Sequence, residues 1–412
     1  MFIKACKIWG IGLFIIFLIP TLALAQEKGP IKIGFLAPIT GAFAQVGKDM
    51  VDGAQLYLEE VGYKMAGRKV DFLIEDDEGA PATTLTKARK LVEMNQVHIV
   101  AGPALAAAGY ALQPYVDSKK MPTIFPVVAA DDLTQRKRAK WIVRVGWNSS
   151  QPSHPFGEYA YKVLGLRKIA AIGMDYAFGW EILGGFQATF EESGGKIIQK
   201  IWCPLTTTDF SPYLAQISRD ADAVFAIFAA RFAIVFLKQY QEYGLKGKIR
   251  VIGGGTLTDE SILPSLGDEA LGAITPLHYS AAIDTPINKE FVKKYRAKYG
   301  KIPSYYSETC YIAMRWFDQA VISLKGDVGN PERVLKALQA VELKETPRGP
   351  IKIDSYGNPI QNIYVRKVER VGGELQNTVI YTYPGVSQFW KYKPEDYLKR
   401  PLYSRDYPPL KP

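Results

Sequence analysis

The sequence predicts an α/β protein made of two doubly wound parallel-sheet lobes. Three observations predict it. The chain has 412 residues, too many for one ordinary core. Its 48% hydrophobic and 22% charged residues are those of a folded globular protein. Strand-length apolar runs alternate with amphipathic helical stretches in two successive series, a βαβ pattern that calls for parallel sheets covered by helices. The same numbers exclude a disordered or collagen-like chain, and three cysteines cannot staple a chain of this size.

The elements follow in order. Lys4 and Lys7 precede an apolar run over 8–19, which is short of the roughly 20 residues a bilayer span needs. Pro20 breaks the run, and Leu22-Ala23-Leu24-Ala25 places small residues at a cleavage site. Residues 1–25 therefore read as a secretory signal peptide cleaved near Ala25. Cys6 precedes the apolar run, whereas a lipid-attachment cysteine would follow it, so no lasting membrane insertion is expected. Residues 31–37 (IKIGFLA) read as a buried strand, and a helix from about Lys48 carries Met50, Ala54, Tyr57, Leu58 and Val61 on one face. A strand over 69–75 follows, then a helix opened by Pro81, then strands at 97–101 and 122–127 around another helix.

The second series begins after Asn148. It has strands at 168–174, 196–202, 223–228 and 249–253, with a helix over 178–193 stopped by Gly194-Gly195. Beyond Pro286 the chain turns helical at 289–299, 305–324 and 331–341, and short strands follow around 351–353 and 363–368. The tail 384–412 holds six prolines and four tyrosines. No regular element is expected there, and its aromatic rings are expected to pack it on a lobe.

Reacting groups are sparse. Of the three histidines, His98 sits in a strand-like run, His154 in a polar segment that reads as exposed, and His278 where the chain recrosses between lobes. No metal-ligand spacing, nucleophile elbow or phosphate loop appears, so no enzyme activity, metal or cofactor is expected. Gly253-Gly254-Gly255 reads as a strand end that allows close approach. Glu75-Asp76-Asp77-Glu78 resembles a cation cluster, but consecutive residues diverge, and a solvated strand end is the simpler reading. Arg136-Lys137-Arg138 with Lys140 reads as a solvated loop; no nucleic-acid partner is expected despite the net charge of +10. Cys203 and Cys310 read as two separate buried thiols, since nothing in the sequence brings them together.

The stretches IKIGFLAPITGAFAQVGKDMVDGAQLYLEEV, IEDDEGAPATTLTKARKLV and IVAGPALAAAGYALQPYVDSKKMPTIFPVVAADDLT stand in the first series. DAVFAIFAARFAIVFLKQYQEYGL and TPRGPIKIDSYGNPIQN stand later. In this order, behind a signal peptide, they resemble the exported solute-binding proteins of ABC importers, of the leucine/isoleucine/valine-binding type. The resemblance covers nearly the whole mature chain. It implies two lobes joined by three crossings, placed near Gly146, His278 and Ser355. The lobes would be 26–147 with 278–355 and 148–277 with 356–383. It also implies a periplasmic, monomeric receptor that closes on a small molecule and delivers it to an ABC permease in the inner membrane.

The resemblance also implies where the ligand sits, and this chain departs from it there. Amino acid binders of the family hold the α-carboxylate with a Ser and a Thr; the matching positions are Ala106 and Ala129. The acid that meets the ammonium falls at Gly255 or Thr256, and pocket tyrosines fall at Val46, Phe178 and Ala229. An unpaired buried ammonium is costly. The expected cleft is larger and more apolar, with Phe43, Val46, Val127, Trp147 and Phe178 packing a ring or aliphatic chain. Backbone N–H groups near Ala106, Ala107 and Ala129 remain for an anion, and Arg231 is the side-chain candidate for a carboxylate. The expected ligand is an aromatic or branched aliphatic acid, and the SQFW and YSRDYPP pieces of the tail resemble relatives associated with aromatic-acid uptake. A branched-chain amino acid is the alternative ligand. A sensory ligand-binding module is the alternative function.

Overall fold

The computed structural model describes residues 1–2 and 29–411, so the export segment with Lys4, Cys6, Lys7 and the cleavage site at Ala25 lies outside the described residues. The first sheet contains β1 (Ile31–Ala37), β2 (Lys64–Met65), β3 (Arg68–Asp76), β4 (Ile99–Ala101), β5 (Thr123–Phe125) and β6 (Ile142–Arg144), in the order β2-β3-β1-β4-β5-β6. All residues of β1 except Lys32 are buried, as a strand covered on both faces requires. Ile33 lies between Phe72 and Ile99 in parallel register. Its helices are α1 (Ala44–Glu60), α2 (Pro81–Arg89) and α3 (Ala106–Lys119). α1 starts four residues earlier than the sequence periodicity indicates, because Gln45 and Lys48 face solvent and leave no apolar stripe to mark its first turn.

The second series supplies α4 (Ser153–Lys162), β7 (Lys168–Met174), α5 (Ala177–Glu192), β8 (Lys196–Cys203), α6 (Ser211–Leu214), β9 (Ala223–Ile227), α7 (Ala230–Glu242), β10 (Arg250–Gly253) and β11 (Ile274–Leu277). Strands β8, β7, β9, β10 and β11 run parallel in that spatial order. The chain then returns to the first sheet as α8 (Pro286–Tyr299), α9 (Tyr305–Ser323) and α10 (Pro331–Ala340). α9 packs on α1 so closely that Gly53 lies against the Ser307 backbone, where a Cβ would not fit. Tyr57 Oη donates to Asp318 at 2.7 Å, and Ser304 Oγ donates to Asp49 at 2.6 Å.

The last strands are β12 (Glu342–Leu343), β13 (Ile351–Ile353), β14 (Pro359–Val371) and β15 (Glu374–Val386). They extend the second sheet through β14, which runs antiparallel to β11. The apolar pattern of the sequence does not announce β15, because its second half carries no regular alternation: Ile380 and Tyr381 are exposed while polar Asn377 is buried. Its signal is Gly372-Gly373, whose φ angles of 58° and 88° suit the tight primed turn of a hairpin. The chain passes between the sheets after β6, after β11 and between α10 and β14. Buried side chains hold the carbonyls at these passages. Arg348 donates to Val145 O at 2.5 Å, Gln361 to Gly146 O at 2.7 Å and Arg366 to Tyr279 O at 2.8 Å. Each arginine has a buried acid beside it, Glu308 at 3.5 Å and Glu260 at 3.6 Å.

Two expectations, one about the tail and one about His154, need correction. The tail does form a helical turn, α11 (Pro394–Tyr397), because Pro394 takes the first helical position, where a missing N–H costs nothing. His154 is fully buried: Gly184 leaves space for the Tyr403 ring, and His154 Nε2 pairs with Tyr403 Oη at 3.2 Å. The polar residues around His154 face the chain's own tail instead of water. Cys203 and Cys310 are both buried and unbonded to each other.

Candidate functional site

A small, tightly lined cavity lies between the carboxyl ends of the two sheets, the place where open α/β sheets take ligands. From the first sheet come Phe43 and Val46 at the start of α1, Ala104, Leu105 and Ala106 after β4, and Val127 and Ala129 after β5. The second sheet gives Tyr176 and Phe178 after β7 and Ala229 after β9. Trp147, on the first passage, and Tyr305 and Tyr306, which open α9, complete the lining. Trp147 meets Phe178 and Tyr305 edge-on at ring separations of 6.1 and 5.8 Å. Phe43 and Phe232 meet at 6.3 Å across the two halves, and Tyr110 Oη on α3 donates to Glu181 on α5 at 3.2 Å.

The lining contains no acidic or basic side chain. Its electrostatics come from the backbone. Phe43, Leu105, Tyr176 and Ala229 are the residues that precede α1, α3, α5 and α7, and none of the four caps its helix with a side chain. The first N–H groups of a helix have no partner within it, and the helix dipole puts partial positive charge there. Three such ends, those of α3, α5 and α7, open on one cavity, while at α1 the Ala44 N–H already donates to Gly41 O in a preceding helical turn. An anion is favoured at such a place and an ammonium is not.

Charged groups lie behind the lining and are engaged there. Asp259 accepts from the Tyr305 backbone N–H at 3.3 Å and from Ser261 N at 2.9 Å. Burial, and then the neighbouring Glu260, push the Asp259 carboxyl upward. His278 is buried 5.9 Å from the Trp147 ring, with Nε2 paired to Thr309 Oγ1 at 3.2 Å. Burial, with Arg348 and Arg366 nearby, holds its pKa well below the ordinary value, so it stays neutral. Among the described residues no acid, histidine and cysteine group is arranged to hold a metal ion. In the acidic run, Asp76 accepts from Ile39 N at 2.9 Å and Thr40 Oγ1 at 2.7 Å, while Glu75 pairs with Lys87 and Lys90. Asp76 thereby fixes the loop that leads into α1, and Glu75 ties β3 to the helix that follows it.

The structure gathers Phe43, Val46, Ala106, Val127, Ala129, Trp147, Phe178 and Ala229 around this cavity. It places four other candidates elsewhere. Ala107 is exposed, in the first turn of α3. Arg231 is exposed, with its guanidinium 4.8 Å above the Phe232 ring. Gly255 is buried: a Cβ there would lie 2.5 Å from both Leu277 Cδ1 and Pro276 O, and its carbonyl accepts from Arg366 at 2.6 Å. Thr256 Oγ1 is spent on Phe228 O at 2.8 Å. Sequence reasoning did not single out Ala104, Leu105, Tyr176, Tyr305 or Tyr306. Tyr305-Tyr306 follows Pro303-Ser304, a helix start in which Ser304 Oγ accepts from Ser307 N at 3.3 Å. That signal marks a helix end able to face a cleft.

A family model described as periplasmic binding protein matches residues 30–374. The chain belongs to that family. A curated relative, Leu/Ile/Val-binding protein homolog 6 of Brucella melitensis, is 31% identical, covering 88% of this chain and 93% of its own. Two solved structures from Rhodopseudomonas palustris are also similar. The first, a solute binding protein of an ABC transporter from strain BisB5 in complex with 3,4-dihydroxybenzoic acid, is 33% identical. It covers 88% of this chain and 99% of its own, with a TM-score of 0.84. The second, an ABC transporter solute binding protein in complex with benzoate, is 29% identical. It covers 87% and 98%, with a TM-score of 0.82. This chain is thus a solute-binding protein of the ABC transporter type, in the branch of the family named for branched-chain amino acids. Among the described residues no helix is long and apolar enough to cross a membrane.

Proposed function

We propose that this protein is a periplasmic receptor that captures a small aromatic carboxylate between its two lobes and delivers it to an ABC permease. The observation that carries this reading is the convergence of three uncapped helix starts, those of α3, α5 and α7, on an aromatic cavity without a charged side chain. A benzoate matches both features: its carboxylate meets backbone N–H groups around Ala106, Ala107 and Ala129, and its ring packs among Phe43, Val46, Val127, Trp147 and Phe178. An α-amino acid would bring an ammonium with no counter-charge. The relatives crystallised with benzoate and 3,4-dihydroxybenzoate support the same chemistry. Arg231, outside the lining, adds positive potential near α7 and makes no direct contact in this reading.

The lobes divide near 147 and 277, and the last passage falls before β12 instead of at 355, because β12 and β13 already pair into the second sheet; the protein acts as a monomer without turning over its ligand. Contacts to both lobes favour closure. Shifting a hinge from 1:99 to 99:1 needs about 5.5 kcal/mol of preference for the closed form, and micromolar binding supplies about 8.2 kcal/mol. The name of the Brucella relative favours a branched-chain amino acid as the second reading. Calorimetric titration of the mature protein with benzoate, 4-hydroxybenzoate, 3,4-dihydroxybenzoate, leucine and isoleucine decides between them. The proposal expects micromolar or tighter binding of at least one benzoate and none of leucine; the reverse pattern would overturn it.

A further inference from the structure

We infer that the indole N–H of Trp147 is the side-chain hydrogen-bond donor reserved for the ligand. The inference rests on the reading of the cavity as a carboxylate site and adds a specificity-determining residue to it. Trp147 lines the cavity and is only 1% exposed, yet its Nε1 has no hydrogen-bond partner. Buried polar groups are nearly always paired, and an orphan in a binding cavity awaits an acceptor. An indole nitrogen donates and never accepts. It therefore discriminates by chemistry: a carboxylate or phenolic oxygen satisfies it, and an ammonium or a bare hydrocarbon leaves it orphaned. Its place adds a mechanical consequence. Trp147 follows Gly146, whose carbonyl is held by Gln361 of β14 at 2.7 Å, and Val145, whose carbonyl is held by Arg348 at 2.5 Å. A ligand oxygen on Trp147 thus touches the passage between the two halves directly.

The probe is benzoate, which offers acceptors only at its carboxylate, with 4-hydroxybenzoate as the second arm to reveal a contact at the ring hydroxyl. The protein has seven tryptophans, and Trp147→Phe identifies the Trp147 indole signal in a nitrogen-15 correlation spectrum. Saturation with benzoate is expected to move that signal downfield, and Trp147→Phe, which keeps an aromatic ring, to weaken benzoate binding at least tenfold. If only 4-hydroxybenzoate moves the signal, the donor meets the ring hydroxyl and the specificity assignment stands. An unmoved signal with both ligands bound, or undiminished affinity in a folded Trp147→Phe protein, overturns the inference and leaves the N–H resting on a neighbouring ring. Absence of benzoate binding to the wild type is a different failure, that of the functional reading itself.

A second inference rests on separate contacts. We propose that the tail after β15 is a strap across the two halves that narrows their range of opening. On the first half, Arg136 donates to Arg400 O at 2.8 Å and to Tyr397 O at 3.1 Å, and Thr134 Oγ1 donates to Gln388 at 2.9 Å. On the second half, Tyr403 packs against Gly184 and His154, and Gln187 donates to Pro409 O at 2.9 Å. Arg405 pairs at 3.2 Å with Asp175, the neighbour of cavity-lining Tyr176. Spin labels at Lys48→Cys and Lys238→Cys, exposed on α1 and α7, read the opening, while the native thiols stay buried. Arg136→Ala is expected to shift the ligand-free distance distribution outward with the fold retained. An unchanged distribution in a folded Arg136→Ala protein overturns the strap.

Discussion

Ala229→Asp separates the stability of this protein from its binding. Ala229 precedes α7 with φ −141° and ψ 159°, the extended geometry of a helix cap, and it supplies no capping side chain. Ala230, the next residue, has φ 51°, so an Asp at 229 does not meet the regular N-cap arrangement and no gain in stability is expected from it. Its carboxylate would enter the cavity that Ala229 lines and put a second negative charge in the space that the ligand's carboxylate shares. Two carboxylates about 4–5 Å apart repel by about 3–4 kcal/mol at an effective dielectric constant of about 20. At about 1.4 kcal/mol per decade that is roughly a 100- to 1,000-fold loss of affinity. The assays are thermal unfolding without ligand and calorimetric titration with whichever benzoate the wild type binds. The expected result is a retained cooperative thermal transition with binding at least 100-fold weaker. Benzoate binding within tenfold of wild type would refute the reasoning that helix starts hold the anion.

Other outcomes follow from particular contacts. Gly255→Glu restores the acid expected of amino acid binders, but its side chain would collide with Leu277 and Pro276 and disturb Arg366; it should lower stability by about 1–3 kcal/mol in urea unfolding and confer no leucine binding. Tyr403→Ala removes a ring that is 8% exposed, and a loss of about 3–5 kcal/mol is expected in the same assay. His154 is fully buried, and burial lowers its pKa from 6.5 to about 3, so the unfolded chain takes up the proton first. The stability from neutral His154 is therefore complete above pH 6.5 and is lost as pH falls toward 3, by about 1.4 kcal/mol per unit at the steepest. The unfolding midpoint of His154→Gln should depend less steeply on pH in this window; equal slopes would contradict the assignment.

The architecture was legible wherever one physical demand dominated. Residues 31–37 had to be a central strand because an apolar run of that length, bounded by Pro30 and Pro38, suits nothing else as well. Helix α8 is legible over 289–299, but it starts three residues earlier, at Pro286, where Thr285 accepts from Asn288 N at 3.2 Å. What stayed hidden depends on partners distant in sequence. Nothing local marks His154 as the seat of Tyr403, 249 residues later. The sequence offers Gly255 or Thr256 for the acid of amino acid binders, but nothing in it shows that Leu277 and Arg366 crowd Gly255 or that Thr256 is spent on Phe228 O. The cavity was half legible: alanines at Ala106, Ala129 and Ala229 were noticed as losses of side chain, whereas Tyr176, Tyr305 and Tyr306 enter through the direction of helix starts.

Small-angle scattering of the mature protein, titrated in parallel with the three benzoates and with leucine, tests most directly whether two halves close on an aromatic acid. A smaller radius of gyration with at least one benzoate, and an unchanged one with leucine, is the predicted result. Compaction by leucine alone would contradict it.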